Sequence, residues 1–277
     1  MSGFGPGAVL RLAALALCTL ALLPAQLLIF RLRPLRSATI PRLYHRIVCR
    51  CLGVRTRVKG APPPPGAGGL IVANHVSWLD ISVIGAQRPL SFVAKSEVAA
   101  WPVVGLLAKL QRTVFVDRAR RAATGDVAAR MGQRLSAGES VVLFAEGTTG
   151  DGTRVLPMRS ALLGAAHEAL GRNGGEVTIW PLAVTYTGFH GMPGGRADRA
   201  LLAWYGDTEL APHLKAMLAI GAIDVELAWG APIAMGGQGP GDQASGKQIS
   251  RKQATQAAQD AIRKARQEAL SGRPAAS

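Results

Sequence analysis

The stretch "IVANHVSWLD", residues 71 to 80, is where the chain changes character. An apolar, β-branched run ends in Asn74-His75, and Asp80 follows the histidine by five residues. The run reads as a buried strand, and a helix is predicted to begin near residue 78. On one regular helix, His75 and Asp80 would point about 140° apart. The spacing therefore predicts His75 on a turn ahead of the helix and Asp80 in its first turn, where a carboxylate can hold the imidazole. A plainer use is open as well. Ser77-Trp78-Leu79-Asp80 has the form of a capping box, and His75 would then be a satisfied turn histidine.

Beyond this stretch the pattern alternates. Apolar runs at 69–73, 91–94, 112–116, 140–145 and 177–185 read as strands, and helix-like stretches lie at 78–86, 97–109, 121–137 and 159–171. Residues 222–230 read as one more strand. The expected fold class is mixed α/β, with a largely parallel central sheet flanked by helices.

Residues 12–30, "LAALALCTLALLPAQLLIF", carry no charge. As a helix they would extend roughly 28 Å, enough to reach across the hydrocarbon of a bilayer. Nine basic residues lie between Arg31 and Lys59, and no acidic residue precedes Asp80. That basic flank favours a cytoplasmic position for the rest of the chain. A secretory signal would carry its positive residues ahead of the apolar core, where only Arg11 stands. Pro24 leaves room for a re-entrant or surface-lying hairpin with residues 39–52. The chain divides into a membrane anchor with a basic juxtamembrane segment (1–59), a Pro/Gly linker (60–69), an α/β domain (70–234), and a linker with a C-terminal helix (235–277).

The 277 residues carry a formal net charge of +15. So basic a chain expects an anionic partner: nucleic acid, an acidic membrane surface or phosphorylated substrates. Aromatics make up only 5% of residues, too few for the stacking platforms of a single-strand nucleic-acid binder. Three cysteines do not make a disulfide scaffold, and His45-x3-Cys49-x-Cys51 does not match the usual zinc spacings. "GDQASGKQ" (241–248) has a P-loop outline but Gln where Ser or Thr would hold magnesium.

Further blocks stand in order along the chain: "FVAKSEV" (92–98), "RTVFVDR" (112–118), "FAEGTTGDG" (144–152) and "IWPLAV" (179–184). Together with "NHVSWLD", this succession resembles the glycerolipid acyltransferase family, whose best-known members convert lysophosphatidic acid to phosphatidic acid. The resemblance covers about residues 70 to 190. It implies a membrane-associated O-acyltransferase that moves a fatty acyl group onto a lysolipid hydroxyl. Acyl-CoA or acyl-carrier protein would be the donor substrate, and no cofactor or metal is implied.

An alcohol attacking a thioester must lose its proton, and a neutral histidine suits that task near pH 7. Asp80 would fix the tautomer of His75 and stabilise the imidazolium. The chain has no G-x-S-x-G elbow, so direct transfer without an acyl-enzyme is the economical route. By resemblance, Glu146 and Gly147 shape the acceptor site together with Thr148 and Thr149, and Arg118 contacts the acceptor phosphate. Lys95 would touch the donor. Arg118 has the alternative of pairing with Asp117, Glu146 of neutralising a neighbouring base, and Lys95 of being an exposed structural lysine. Pro181 would shape the wall of the site.

Two departures from the family pattern bear on the acceptor. The family commonly reads E-G-T-R, whereas Thr149 stands here in place of the arginine, with Arg154 or Arg159 as candidate substitutes. Arg112 also stands where glycine is usual. A lyso-ornithine lipid, whose head group is an amino acid, is the competing acceptor, and a membrane-tethered thioesterase or hydrolase is a more distant reading.

Overall fold

A computed structural model describes residues 5–32, 39–117, 123–164, 177–235 and 249–272. Among them a nine-stranded sheet runs in the order β1-β8-β6-β2-β5-β3-β4, with β7 and β9 paired to β6. The strands are β1 (Val54–Lys59), β2 (Gly69–Ala73), β3 (Ser91–Lys95), β4 (Val114–Val116), β5 (Ser140–Phe144), β6 (Val177–Phe189), β7 (Met192–Pro193), β8 (Ile223–Trp229) and β9 (Ile233–Met235). Neighbours from β6 through β4 pair in parallel. β8 runs antiparallel to β6, and β1 runs parallel to β8. Every residue of β2 and β5 is buried, as expected for central parallel strands covered on both faces.

Two apolar layers enclose the sheet. One packs α2 (Thr39–Cys51), α3 (Leu79–Gly85) and α8 (Leu210–Ile220) over Ile71, Val142, Leu182 and Val184. The other packs α5 (Ala123–Ser136) and α9 (Arg251–Ser271) over Leu70, Val72, Val141 and Ala183. The described start of α6 (160–164) adds Leu163 to this second layer. Along α9 the residues Ala254, Ala258, Ile262 and Arg266 are buried at four-residue steps, a single stripe on one helix face.

The structure differs from the sequence reading in three places. Residues 60–69 do not divide an anchor from a domain: β1 lies before them in the same sheet, and Val48, Cys49 and Leu52 join the core. The helix expected over 97–109 is two pieces, a 3₁₀ turn (Ser96–Ala100) and α4 (Val104–Leu110), because Pro102 interrupts the backbone ladder. The region after β6 holds more than the one expected strand: α7 (Arg196–Leu202), α8 and β9 also belong to the domain. Arg118, Arg33, Arg36, the outer part of the helix expected at 159–171, and segment 241–248 lie outside the described residues.

The apolar N-terminal segment forms α1 (Pro6–Leu32), a continuous helix that passes through Pro24. It is long and apolar enough to cross a membrane. It does not stand away from the domain, however. Ala8, Leu12 and Leu15 pack on the core, Arg11 donates to the Leu218 carbonyl, and Gln26 donates to the Leu110 carbonyl at 2.8 Å. These two ties are about 22 Å apart along the helix. Leu10, Leu17, Leu20 and Leu28 remain exposed on its other side. Ile262→Ala should open a cavity beneath α9 and lower unfolding stability by about 2–5 kcal/mol, measured by denaturant unfolding of the full chain in detergent.

Candidate active site

The site is built where three parallel strands end. Asn74 continues β2 with its side chain: Nδ2 donates to the Val184 carbonyl at 2.9 Å, and Oδ1 accepts from the Val184 amide at 2.8 Å. The clasp holds the strand end against β6 while the backbone turns out of the sheet. His75 is then gripped by the loop after β5. Its amide donates to Glu146 Oε2 at 2.9 Å, and its carbonyl accepts from the Gly150 amide at 2.8 Å. The Val76 carbonyl accepts from the Trp204 amide at 2.9 Å, which ties the same turn to the chain after α7.

Asp80 is fully buried and collects four donors. Oδ2 accepts from His75 Nδ1 at 2.8 Å, from the Val76 amide at 2.7 Å and from the Ser77 amide at 2.9 Å. Oδ1 accepts from the Tyr186 hydroxyl at 2.6 Å. Half of the expected capping box is present: the carboxylate reaches back to the Ser77 amide, but the Asp80 amide donates to the Ser77 carbonyl rather than to its hydroxyl. Because a carboxylate only accepts, its bond assigns the proton to Nδ1 and leaves Nε2 with its lone pair. The His75 side chain is 18% exposed, so one ring edge is open. One ring face is covered. It stacks on Phe144, centroids 3.9 Å apart and planes 13° from parallel.

Tyr186 is buried, and burial together with the Asp80 charge pushes its hydroxyl well above its usual range, so it remains a donor. The strand expected from sequence ends at 185, one residue short of it. The two-residue period Leu182, Val184, Tyr186 carries the signal, since all three point into the layer that holds α3. Pro181 shares the opposite parity with Ala183 and packs near Gly230, on the α9 side. It is therefore not a wall of the site.

Glu146 is buried and bridges two loop segments, accepting from the His75 amide and from the Leu156 amide at 2.8 Å. Burial pushes its carboxyl up to about 7, opposed by the two amide bonds. Gly147 turns the chain here with φ +75°, and its amide returns to the Phe144 carbonyl at 3.0 Å. That left-handed turn favours glycine. Thr148 is exposed, and Thr149 is half-buried. Arg154 and Arg159, expected as substitutes for the missing arginine, are exposed. The buried cation beside Glu146 is instead Arg266 of α9, which donates to the Gly152 carbonyl and holds the Glu146 carboxyl down. Its signal is the α9 stripe: 254, 258 and 262 point to 266. Lys95 ends β3, exposed, on the same edge of the sheet. One strand separates β3 from β2, a distance of about 10 Å. Among the described residues no group of three His, Cys, Asp or Glu side chains is arranged to hold a metal.

An apolar cavity of about 340 Å³ opens between α1, α2, α3 and α4. Leu15, Leu22, Tyr44, Trp78, Phe92 and Trp101 line it. It lies close to the histidine, because the Phe92 ring stacks on Phe144 at 6.2 Å and Phe144 stacks on His75. A polar set also meets the cavity: His45 bonds Gln111 Oε1 at 3.0 Å and Ser82 Oγ at 3.3 Å. Burial lowers the His45 imidazole to about 4, so it is neutral. Gly85 makes this packing possible, since a Cβ there would lie 2.4 Å from the His45 ring.

A sequence-family profile described as Acyltransferase matches residues 55–185. The chain is 50% identical over 222 residues to the lyso-ornithine lipid O-acyltransferase of Brucella abortus (strain 2308), covering 80% of this chain and 83% of that protein. The chain belongs to this acyltransferase family. It is also 44% identical to the lyso-ornithine lipid O-acyltransferase of Rhizobium meliloti (strain 1021), over 79% of this chain and 75% of that one. The crystal structure of the 1-acyl-sn-glycerophosphate (LPA) acyltransferase PlsC from Thermotoga maritima superposes with a TM-score of 0.63 at 18% identity. It covers 97% of this chain and 98% of that one, and shows a shared fold.

In this acyltransferase, Tyr186→Phe removes one of four donors from Asp80 and should lower kcat about tenfold with KM nearly unchanged, in steady-state kinetics. Glu146 binds its proton more tightly folded than unfolded. Its contribution to stability is therefore largest below about pH 4.5 and should fall by about 3 kcal/mol as pH rises to about 7. Unfolding of wild type and Glu146→Gln across pH 5–8 checks this, and the variant should lack that part of the slope.

Proposed function

We propose that this acyltransferase moves a fatty acyl chain from acyl-CoA or acyl-carrier protein directly to the hydroxyl of a lyso-ornithine lipid. The observation that carries the reading is the His75–Asp80 pair at 2.8 Å, with a partly exposed imidazole that the stacked rings of Phe144 and Phe92 connect to an apolar cavity. His75 Nε2 takes the hydroxyl proton as the acceptor oxygen attacks the thioester carbonyl. The new C–O bond forms, the tetrahedral intermediate collapses with cleavage of the C–S bond, and the departing thiolate takes the proton back. Asp80 holds the ring and stabilises its charge during the step, the role a carboxylate plays beside the histidine of serine proteases. The apolar cavity receives the fatty chain, and its volume falls in the range of small-molecule sites.

The acceptor is read from two facts. Relatives 50% and 44% identical to the chain over most of their length are lyso-ornithine lipid O-acyltransferases, and Thr149 stands where an arginine would meet a phosphate. The lyso-ornithine alternative thus takes precedence over lysophosphatidic acid, the acceptor implied by motif order. Thr148 and Thr149 form the rim that meets the head group, on a loop that Glu146 and Gly147 hold in shape, and Lys95 lies towards the donor. The apolar face of α1 binds the membrane, with the helix lying along the domain in one leaflet rather than leading away across the bilayer. The basic flank favours the inner membrane with the catalytic domain on the cytoplasmic side, attracted to anionic lipid.

Labelled acyl donor with lyso-ornithine lipid and lysophosphatidic acid in competition tests the acceptor, and the first should win. A preference for the second overturns the acceptor and leaves acyl transfer standing. Free fatty acid with no acylated product would instead favour hydrolysis. His75→Ala should lower turnover by at least about 10³-fold while the protein still fractionates with membrane. Ala94→Phe, which intrudes on the cavity, should slow long-chain donors more than short-chain ones in the same assay.

A further inference from the structure

A second cavity, of about 660 Å³, lies at the other end of the sheet. Pro65 and Gly66 ahead of β2, Ser91 at the start of β3 and Ser140 at the start of β5 border it. These are the amino ends of the strands whose carboxyl ends carry His75, Lys95 and Glu146. A five-residue strand separates the two ends by about 16 Å. The cavity is therefore no part of the catalytic groove.

Its charge is out of balance. Arg42, Arg88 and Arg112 line it, with Glu139 as the carboxylate, and Glu139 is taken by Arg112 at 2.6 Å. Arg46 stands one turn from Arg42 on α2. The Nε groups of Arg42 and Arg46 both donate to the Ala86 carbonyl, at 3.5 and 3.1 Å, where α3 ends. Arg88 is fixed across the cavity by the Pro63 carbonyl at 2.6 Å and the Pro64 carbonyl at 3.4 Å. Its own Nε is buried without a partner. Among the described residues no carboxylate pairs with Arg42, Arg46 or Arg88. Instead the three press on one another: Arg46 lowers Arg42, and Arg42 lowers Arg88, each after the larger effect of burial. The carbonyl bonds orient the guanidinium planes but remove none of their charge.

We propose that this cavity is an anion site for a phosphate group, bound by the Arg42 and Arg88 guanidiniums with Arg46 at its rim. A phosphate suits the place: its charge matches two unpaired arginines, and its oxygens fit their planar donor forks. Two sources offer that chemistry. One is the head group of an anionic phospholipid, since Arg42 and Arg46 lie on the helix packed against α1. The other is a soluble phosphate compound.

The test uses the full chain with Arg42→Gln and Arg88→Gln, and with Arg57→Gln, an exposed arginine of β1 outside the cavity, as control. In neutral detergent, the unfolding midpoint is followed with inorganic phosphate against chloride at matched ionic strength. In parallel, each protein is floated on vesicles of phosphatidylcholine with or without phosphatidylglycerol. A midpoint rise with phosphate, lost in the cavity variants and kept in the control, assigns a soluble phosphate. No rise, but a loss of at least about fivefold in affinity for anionic vesicles confined to the cavity variants, assigns the lipid head group. The proposal is overturned if neither effect is seen, or if Arg57→Gln loses as much as the cavity variants.

Discussion

A carboxylate without access to water must be met by donors, and Asp80 is met by four. Much of the site exists to supply them. Two come from consecutive backbone amides, which fixes the turn between β2 and α3. The third comes from the middle of β6, which fixes the register of α3 on the sheet. The fourth is the imidazole itself. Removing a buried charge from water carries a large cost unless every lone pair is met. The same solvation that makes the aspartate tolerable therefore holds the histidine ring in place, as the proposed general base requires.

Glu146 stands a few bonds away with a different balance. It receives two backbone amides and the field of Arg266, while the charge of Asp80 opposes it. Asp80 holds the imidazole of His75, while Glu146 fastens the loop that carries Thr148 and Thr149 to the loop that carries His75. A residue that motif order places in the acceptor site turns out to act first through the backbone.

The strands of the core are legible in the sequence because fully buried parallel strands write themselves as unbroken apolar runs, as β2 and β5 do. The spacing of His75 and Asp80 is legible because only a turn leading into a helix brings them together. The hidden features have weaker signatures. β1 reads as basic, since as an edge strand it exposes Arg55 and Arg57 to solvent. Tyr186 lies one step beyond the expected strand end. Arg266 is brought to Glu146 by a helix 120 residues away in sequence, and only its place on an otherwise apolar stripe hints that it faces inward. The Asn74 clasp is invisible to such reasoning as well, because it depends on a β6 backbone that sequence alone does not bring alongside.

The two ties between α1 and the domain, at Arg11 and at Gln26, carry a consequence for membrane traffic. A helix fastened along its length to the domain cannot carry that domain's product to the far side of a bilayer. On the placement proposed for α1, each turnover would add a second chain to a lipid in one monolayer, and that monolayer alone would gain bulk. Evening out the two sides would then fall to a separate translocating step.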